Sequence, residues 1–88
     1  MKSEITNLPA SARRHARRGT LPALQTLADQ IRQARTATGL TQDQLSLVSG
    51  VSRDTVIALE NARPGVSLGN LVSVLGVLGL AIRLQGTR

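Results

Sequence analysis

The amino-acid sequence predicts an all-α fold of four short helices followed by one short C-terminal strand. Three observations predict it. Apolar residues recur at helical spacing in four segments. A hydroxyl residue able to cap a helix stands before each of the last three, at Thr41, Ser52 and Ser67. Gly39, Gly50 and Gly79 fall where helices commonly stop.

Residues 1–20 hold few large apolar side chains and end in Gly19-Thr20, so they read as a flexible basic arm ahead of a single domain over 21–88. The first helix follows, with Leu24, Leu27, Ala28 and Ile31 on one stripe as far as Gly39. Thr41 caps the second, where Gln44 three residues on completes a capping box and Leu45 and Val48 supply the apolar side. Ser49-Gly50 ends it. Ser52 caps the third, which runs to about Asn61 with Val56 and Leu59 facing inward, and Arg63-Pro64-Gly65 then forces a loop. Ser67 caps the fourth, Leu68 to Leu78.

That fourth helix carries more apolar residues than one core needs. Leu68, Leu71, Leu75 and Leu78 make one face, and Val74 and Val77 widen it, which implies a second buried contact. The last segment, Ala81-Ile82-Arg83-Leu84-Gln85, alternates apolar with polar like a half-buried strand, but no other segment reads as its partner. Pairing with its copy in a second subunit would close that open edge. Val74, Val77, Ile82 and Leu84 are therefore the expected dimerisation residues.

Composition narrows the function. A domain of this size is marginally stable alone, and there are no cysteines and only one histidine, His15, so disulfides and ordinary zinc sites are not expected and a second subunit is. Neither a membrane-length apolar run nor a signal-peptide pattern is seen, and a cytoplasmic location is expected. Neither a nucleophile with its base nor a metal cluster is present, so no catalysis and no cofactor are expected. The net charge of +6 points to a polyanionic partner, and residues 1–20 hold five of the eleven cations. The lack of any Phe, Trp or Tyr favours duplex DNA over single strands, which are gripped by stacking on aromatic rings.

Two short helices joined by a turn at Gly50 carry the functional reading. Gly50 accepts the positive φ that lets the third helix swing across the second. On a helical wheel Val56 and Leu59 fall inside, while Arg53, Asp54, Ile57 and Ala58 fall outside, where a DNA groove would meet them. Arg53 has the fork that matches guanine O6 and N7, and a phosphate is its alternative. Asp54 can accept from a cytosine amine or simply favour the helix dipole. Ile57 suits a thymine methyl or is an ordinary exposed apolar residue.

Leu40-Thr41-Gln42-Asp43-Gln44-Leu45, Gly50-Val51-Ser52-Arg53-Asp54-Thr55-Val56 and Leu59-Glu60-Asn61 together resemble the Xre family of phage-repressor-like regulators. Arg63-Pro64-Gly65-Val66-Ser67-Leu68-Gly69-Asn70-Leu71, the leucine-rich helix and the terminal strand resemble HipB-type antitoxins within it. The resemblance implies a repressor-like helix-turn-helix fold whose strand joins two subunits. It implies that Gln42 meets a phosphate, that Ser52, Arg53, Asp54 and Ile57 face DNA, and that Arg35 and Glu60 pair to hold the recognition helix. It also implies a dimer on an inverted-repeat operator and a HipA-type kinase toxin as partner. Ser46 departs from the family's usual Ala, and its hydroxyl is expected to bond back to a carbonyl of its own helix. The chain stops soon after the strand, so a toxin contact through a long C-terminal tail is not expected.

Arg13, Arg14, Arg17 and Arg18 of the arm suit phosphates or a narrow minor groove, or else form a solvated tail. Three competing functions stand beside an autoregulating antitoxin. One is a subunit that mainly neutralises a toxin, another a plain phage-type repressor with no toxin, and the third a nonspecific RNA or nucleoid binder.

Overall fold

A computed structural model describes residues 21–86. The readings of Arg13, Arg14, Arg17 and Arg18 lie outside the described residues. Within them, four helices follow one another: α1 (Pro22–Thr38), α2 (Gln42–Ser49), α3 (Arg53–Glu60) and α4 (Leu68–Val77).

Each boundary has a local cause. Pro22 opens α1, where its fixed φ suits a helix and its missing N–H leaves nothing unsatisfied. Gly39 closes it in the left-handed conformation (φ 81°), so that the Leu40 N–H reaches back to the Arg35 carbonyl at 3.2 Å. The capping box forms in full on α2: the Gln44 N–H donates to Thr41 Oγ1 at 3.0 Å, and the Thr41 N–H donates to Gln44 Oε1 at 2.9 Å. Ser52 and Ser67 accept from the N–H groups of Thr55 (3.2 Å) and Asn70 (3.1 Å) at the starts of α3 and α4.

The end of α3 was not legible in this way. There Ala62, a residue with a Cβ, takes a positive φ of 58° while 4% exposed, and the Arg63 N–H donates to the Ala58 carbonyl at 3.0 Å. A left-handed alanine costs roughly 1–2 kcal/mol, offset here by burial of its methyl group and the recovered hydrogen bond.

The core is Ile31 of α1, Leu45 of α2, Val51 of the turn, Val56 and Leu59 of α3, and Val74, Leu75 and Leu78 at the end of α4. α3 packs against all three other helices, and α2 also packs against α4. This arrangement corrects several expectations. Val74 is 0% exposed, because α2 and α3 both pack on α4 and carry the core around to it; it is part of the monomer's interior and is not available as a dimer contact. Val77 is half-buried and also packs against the core. Leu68, expected to face inward, is 72% exposed in the first turn of α4, ahead of the part that meets the core, and Val48 is 63% exposed in the last turn of α2, a 60° rotation away from Leu45.

Beyond Gly79, Leu80 is half-buried against the core and residues 81–86 are exposed, with Ile82 and Leu84 open to solvent, and among the described residues of this single chain there is no strand. The segment stands off α1 across an open groove lined in part by Gln30, Gln33, Ala34, Leu80 and Arg83.

Candidate nucleic-acid interface

The turn between α2 and α3 sets the angle of everything that follows. Gly50 lies at φ 74° and its N–H donates to the Ser46 carbonyl at 3.0 Å. Ser46 does not bond back within its own helix as its sequence context predicts. Its hydroxyl reaches forward and donates to the Val51 carbonyl at 2.6 Å. The physical reason is that the Gly50 turn folds the Val51 carbonyl over the last turn of α2, offering an acceptor no helix wheel shows. Ser49 ties the same turn from the other side, its Oγ accepting from the Val51 N–H at 3.3 Å. A turn so cross-linked holds α3 at a fixed angle to α2.

α3 then presents Ser52, Arg53 and Asp54 to solvent, with Ile57 half-buried behind them. Arg53 is not a lone cation. Its Nε lies 2.5 Å from Oδ1 of Asp43, in the first turn of α2, and both side chains remain more than half exposed. In water such a pair contributes at most about 1 kcal/mol. The contact joins the N-terminal ends of the two helices on the outer surface.

Behind that surface lies Glu60, the last residue of α3, 1% exposed. Its carboxylate accepts from Arg35 Nε at 2.6 Å, from Arg35 Nη2 at 3.0 Å and from Gln42 Nε2 at 3.2 Å. Arg35 also donates through Nη1 to the Leu40 carbonyl at 2.9 Å, and Arg32 donates to the Glu60 backbone carbonyl. The hydrogen bond to Glu60 holds the Arg35 guanidinium above its ordinary pKa, more than burial lowers it. Among the described residues no buried side-chain polar atom lacks a partner. One carboxylate thus fastens the C-terminus of α3 to α1 and to the N-terminus of α2.

Gln42 has its side-chain amide turned toward Glu60, so what it offers outward is the first turn of α2. Two participants were invisible in the sequence, Asp43 and Arg32. Both act across helices at separations of ten and twenty-eight residues, which periodicity within one helix does not report.

Residues 31–85 match the helix-turn-helix family HTH_3. The chain belongs to this family. It is a DNA-binding regulator of the Xre-like class. Among solved structures, the restriction-modification controller protein C.AhdI from Aeromonas hydrophila is similar at 31% identity, with 69% of this chain and 92% of that one covered and a TM-score of 0.63. A chain of the HipA-HipB-O2-O3 complex is similar at 25% identity over 78% of this chain and 97% of its own, with a TM-score of 0.68. A chain from a complex of a serine-to-alanine HipB variant with an O2 20mer shares the fold at 23% identity over 78% of this chain and 96% of its own, again with a TM-score of 0.68. A search of curated proteins finds no match. No helix among the described residues is long and apolar enough to cross a membrane.

Proposed function

We propose that this helix-turn-helix protein is a sequence-specific transcriptional repressor that binds an inverted-repeat operator as a symmetric dimer in the cytoplasm, as a HipB-like antitoxin that also binds a HipA-type kinase toxin. The observation that carries the DNA reading is the fixed presentation of α3, whose outer face offers Arg53, Asp54 and Ile57 while Glu60 clamps its far end to α1 and α2. A rigidly held helix is what a major groove reads, since a misplaced hydrogen-bonding fork loses its base edge. Arg53 reads the base, Ser52 and the first turn of α2 at Gln42 lie against phosphates, and residues 1–20 add the nonspecific grip of Arg13, Arg14, Arg17 and Arg18 to the domain of 21–88.

Dimerisation rests on Ile82 and Leu84, whose exposure fits a segment awaiting its copy. The exposed Val72 of α4 takes the place that Val74 was expected to fill. The likeness to a chain of the HipA-HipB-O2-O3 complex favours the toxin partnership. A second reading, a controller that regulates restriction-modification genes without any toxin, is favoured by the higher identity to C.AhdI.

Footprinting on the DNA upstream of its own gene tests the first part: two protected half-sites about 34 Å apart are expected, and protection without two-fold spacing refutes the dimeric repressor. Co-expression with the product of the adjacent gene separates the two readings. A stable complex with a kinase-like protein supports the antitoxin, and an adjacent restriction or modification enzyme with no complex supports the controller.

A further inference from the structure

Asp43 is unexpected on a surface meant for phosphates, because a carboxylate there repels them. Yet it sits in the first turn of α2, 70% exposed in its side chain, with Oδ1 2.5 Å from Nε of Arg53, the first residue of α3. The contact is an ion pair made at Nε.

We propose that Asp43 is a specificity-determining positioning residue, whose carboxylate against the Nε side of Arg53 leaves both Nη groups for a guanine edge, and whose charge keeps that guanidinium off the phosphates. This rests on the reading of α3 as the base-reading helix.

The geometry supports two effects. Arginine has one N–H on Nε and four on the Nη atoms, and guanine O6 and N7 together accept two parallel N–H bonds. With the Asp43 carboxylate packed against the Nε side of the guanidinium as an ion pair, the end-on pair from Nη1 and Nη2 is the fork left clear to donate. The second effect is electrostatic. Most protein–DNA hydrogen bonds go to phosphate and sugar, and an unaccompanied arginine at the start of a helix is drawn to the nearest phosphate. Arg53 and Asp43 together carry no net charge, so the long-range attraction is cancelled while the short-range, directional hydrogen bonding to a neutral base edge survives.

The same cancellation gives a signature. A neutral pair releases no counterion, whereas an arginine freed to meet a phosphate steepens the log–log salt dependence by about 0.9 per contact. The experiment is selection of binding sites from a randomised duplex library by the full chain. Affinities for the selected duplex and for a random-sequence duplex are then measured across a salt series for the native protein, Asp43→Asn, Asp43→Glu and Arg53→Ala. Asp43→Asn is expected to lose the guanine preference about tenfold while binding random duplex several-fold more tightly, with a slope steeper by about 1.8 for the dimer. Asp43→Glu is expected to restore much of the preference, which a purely structural role at the α2 N-terminus would not require. If Asp43→Asn keeps both the native preference and the native slope while Arg53→Ala loses the guanine, the role of Asp43 is overturned and base reading by Arg53 stands. If Arg53→Ala also keeps the guanine, the base-reading assignment fails and the role of Asp43 falls with it.

Discussion

Replacing Glu60 with alanine should destabilise the domain strongly, and its cost can be worked from the contacts. The carboxylate is 1% exposed and accepts three N–H bonds, two from Arg35 and one from Gln42. Its removal strands a guanidinium whose side chain is only 14% exposed, and breaking a buried ion pair from one side costs about 3–5 kcal/mol. Arg35 keeps its bond to the Leu40 carbonyl, so the lower end, about 3 kcal/mol, is expected. A chain of this length has roughly 4–13 kcal/mol of stability in all. A loss of about 3 kcal/mol lowers the melting temperature by on the order of 12–24 °C. Circular dichroism melts and urea titrations of Glu60→Ala, Arg35→Ala and the double variant give the cycle. The double variant should be little worse than Glu60→Ala, since each single change strands the other partner. A loss below about 1 kcal/mol in Glu60→Ala, or strict additivity in the cycle, would refute the clamp.

Further expectations follow from the same contacts. Val74→Asp should unfold the monomer because it places a charge in the core, while Ile82→Glu with Leu84→Glu should leave the helical signal intact and lower the sedimentation mass to that of a monomer; a folded Val74→Asp monomer would restore that residue to an interface. Ser46→Ala removes the donor to the Val51 carbonyl and should cost about 1 kcal/mol by urea titration, offset only by a few tenths from alanine's better helix propensity, and a stabilised variant would show that the hydroxyl contributes nothing to the turn. Deleting residues 1–20 should flatten the salt dependence of DNA binding by on the order of 4–7 in log–log slope if both arms of a dimer use most of their arginines, and superimposable slopes would assign the arm elsewhere.

The capping residues were legible because capping is local: Thr41 with Gln44, Ser52 and Ser67 each act within three residues of themselves. So was the orientation of α3, since Gly50 and the inward Val56 and Leu59 fix which way it faces. What failed was anything that depends on how far one helix wraps another. A wheel gives Val74 an angle on α4 but not the depth to which α2 and α3 bury it. The resemblance implied the Arg35–Glu60 pairing, but not that Gln42 and Arg32 converge on the same residue, or that Ser46 reaches across the turn. Asp43 gave no signal for the same reason: its partner lies ten residues away and comes within reach only once the Gly50 turn is closed.

Sequence-specific binding through α3 is tested most directly by comparing Arg53→Ala with the native protein on a selected inverted-repeat duplex and on the same duplex with its half-sites scrambled. A loss of roughly 1–3 kcal/mol per half-site on the selected duplex, with a much smaller loss on the scrambled one, is the predicted result. Equal losses on both would contradict it and reduce Arg53 to one more phosphate contact.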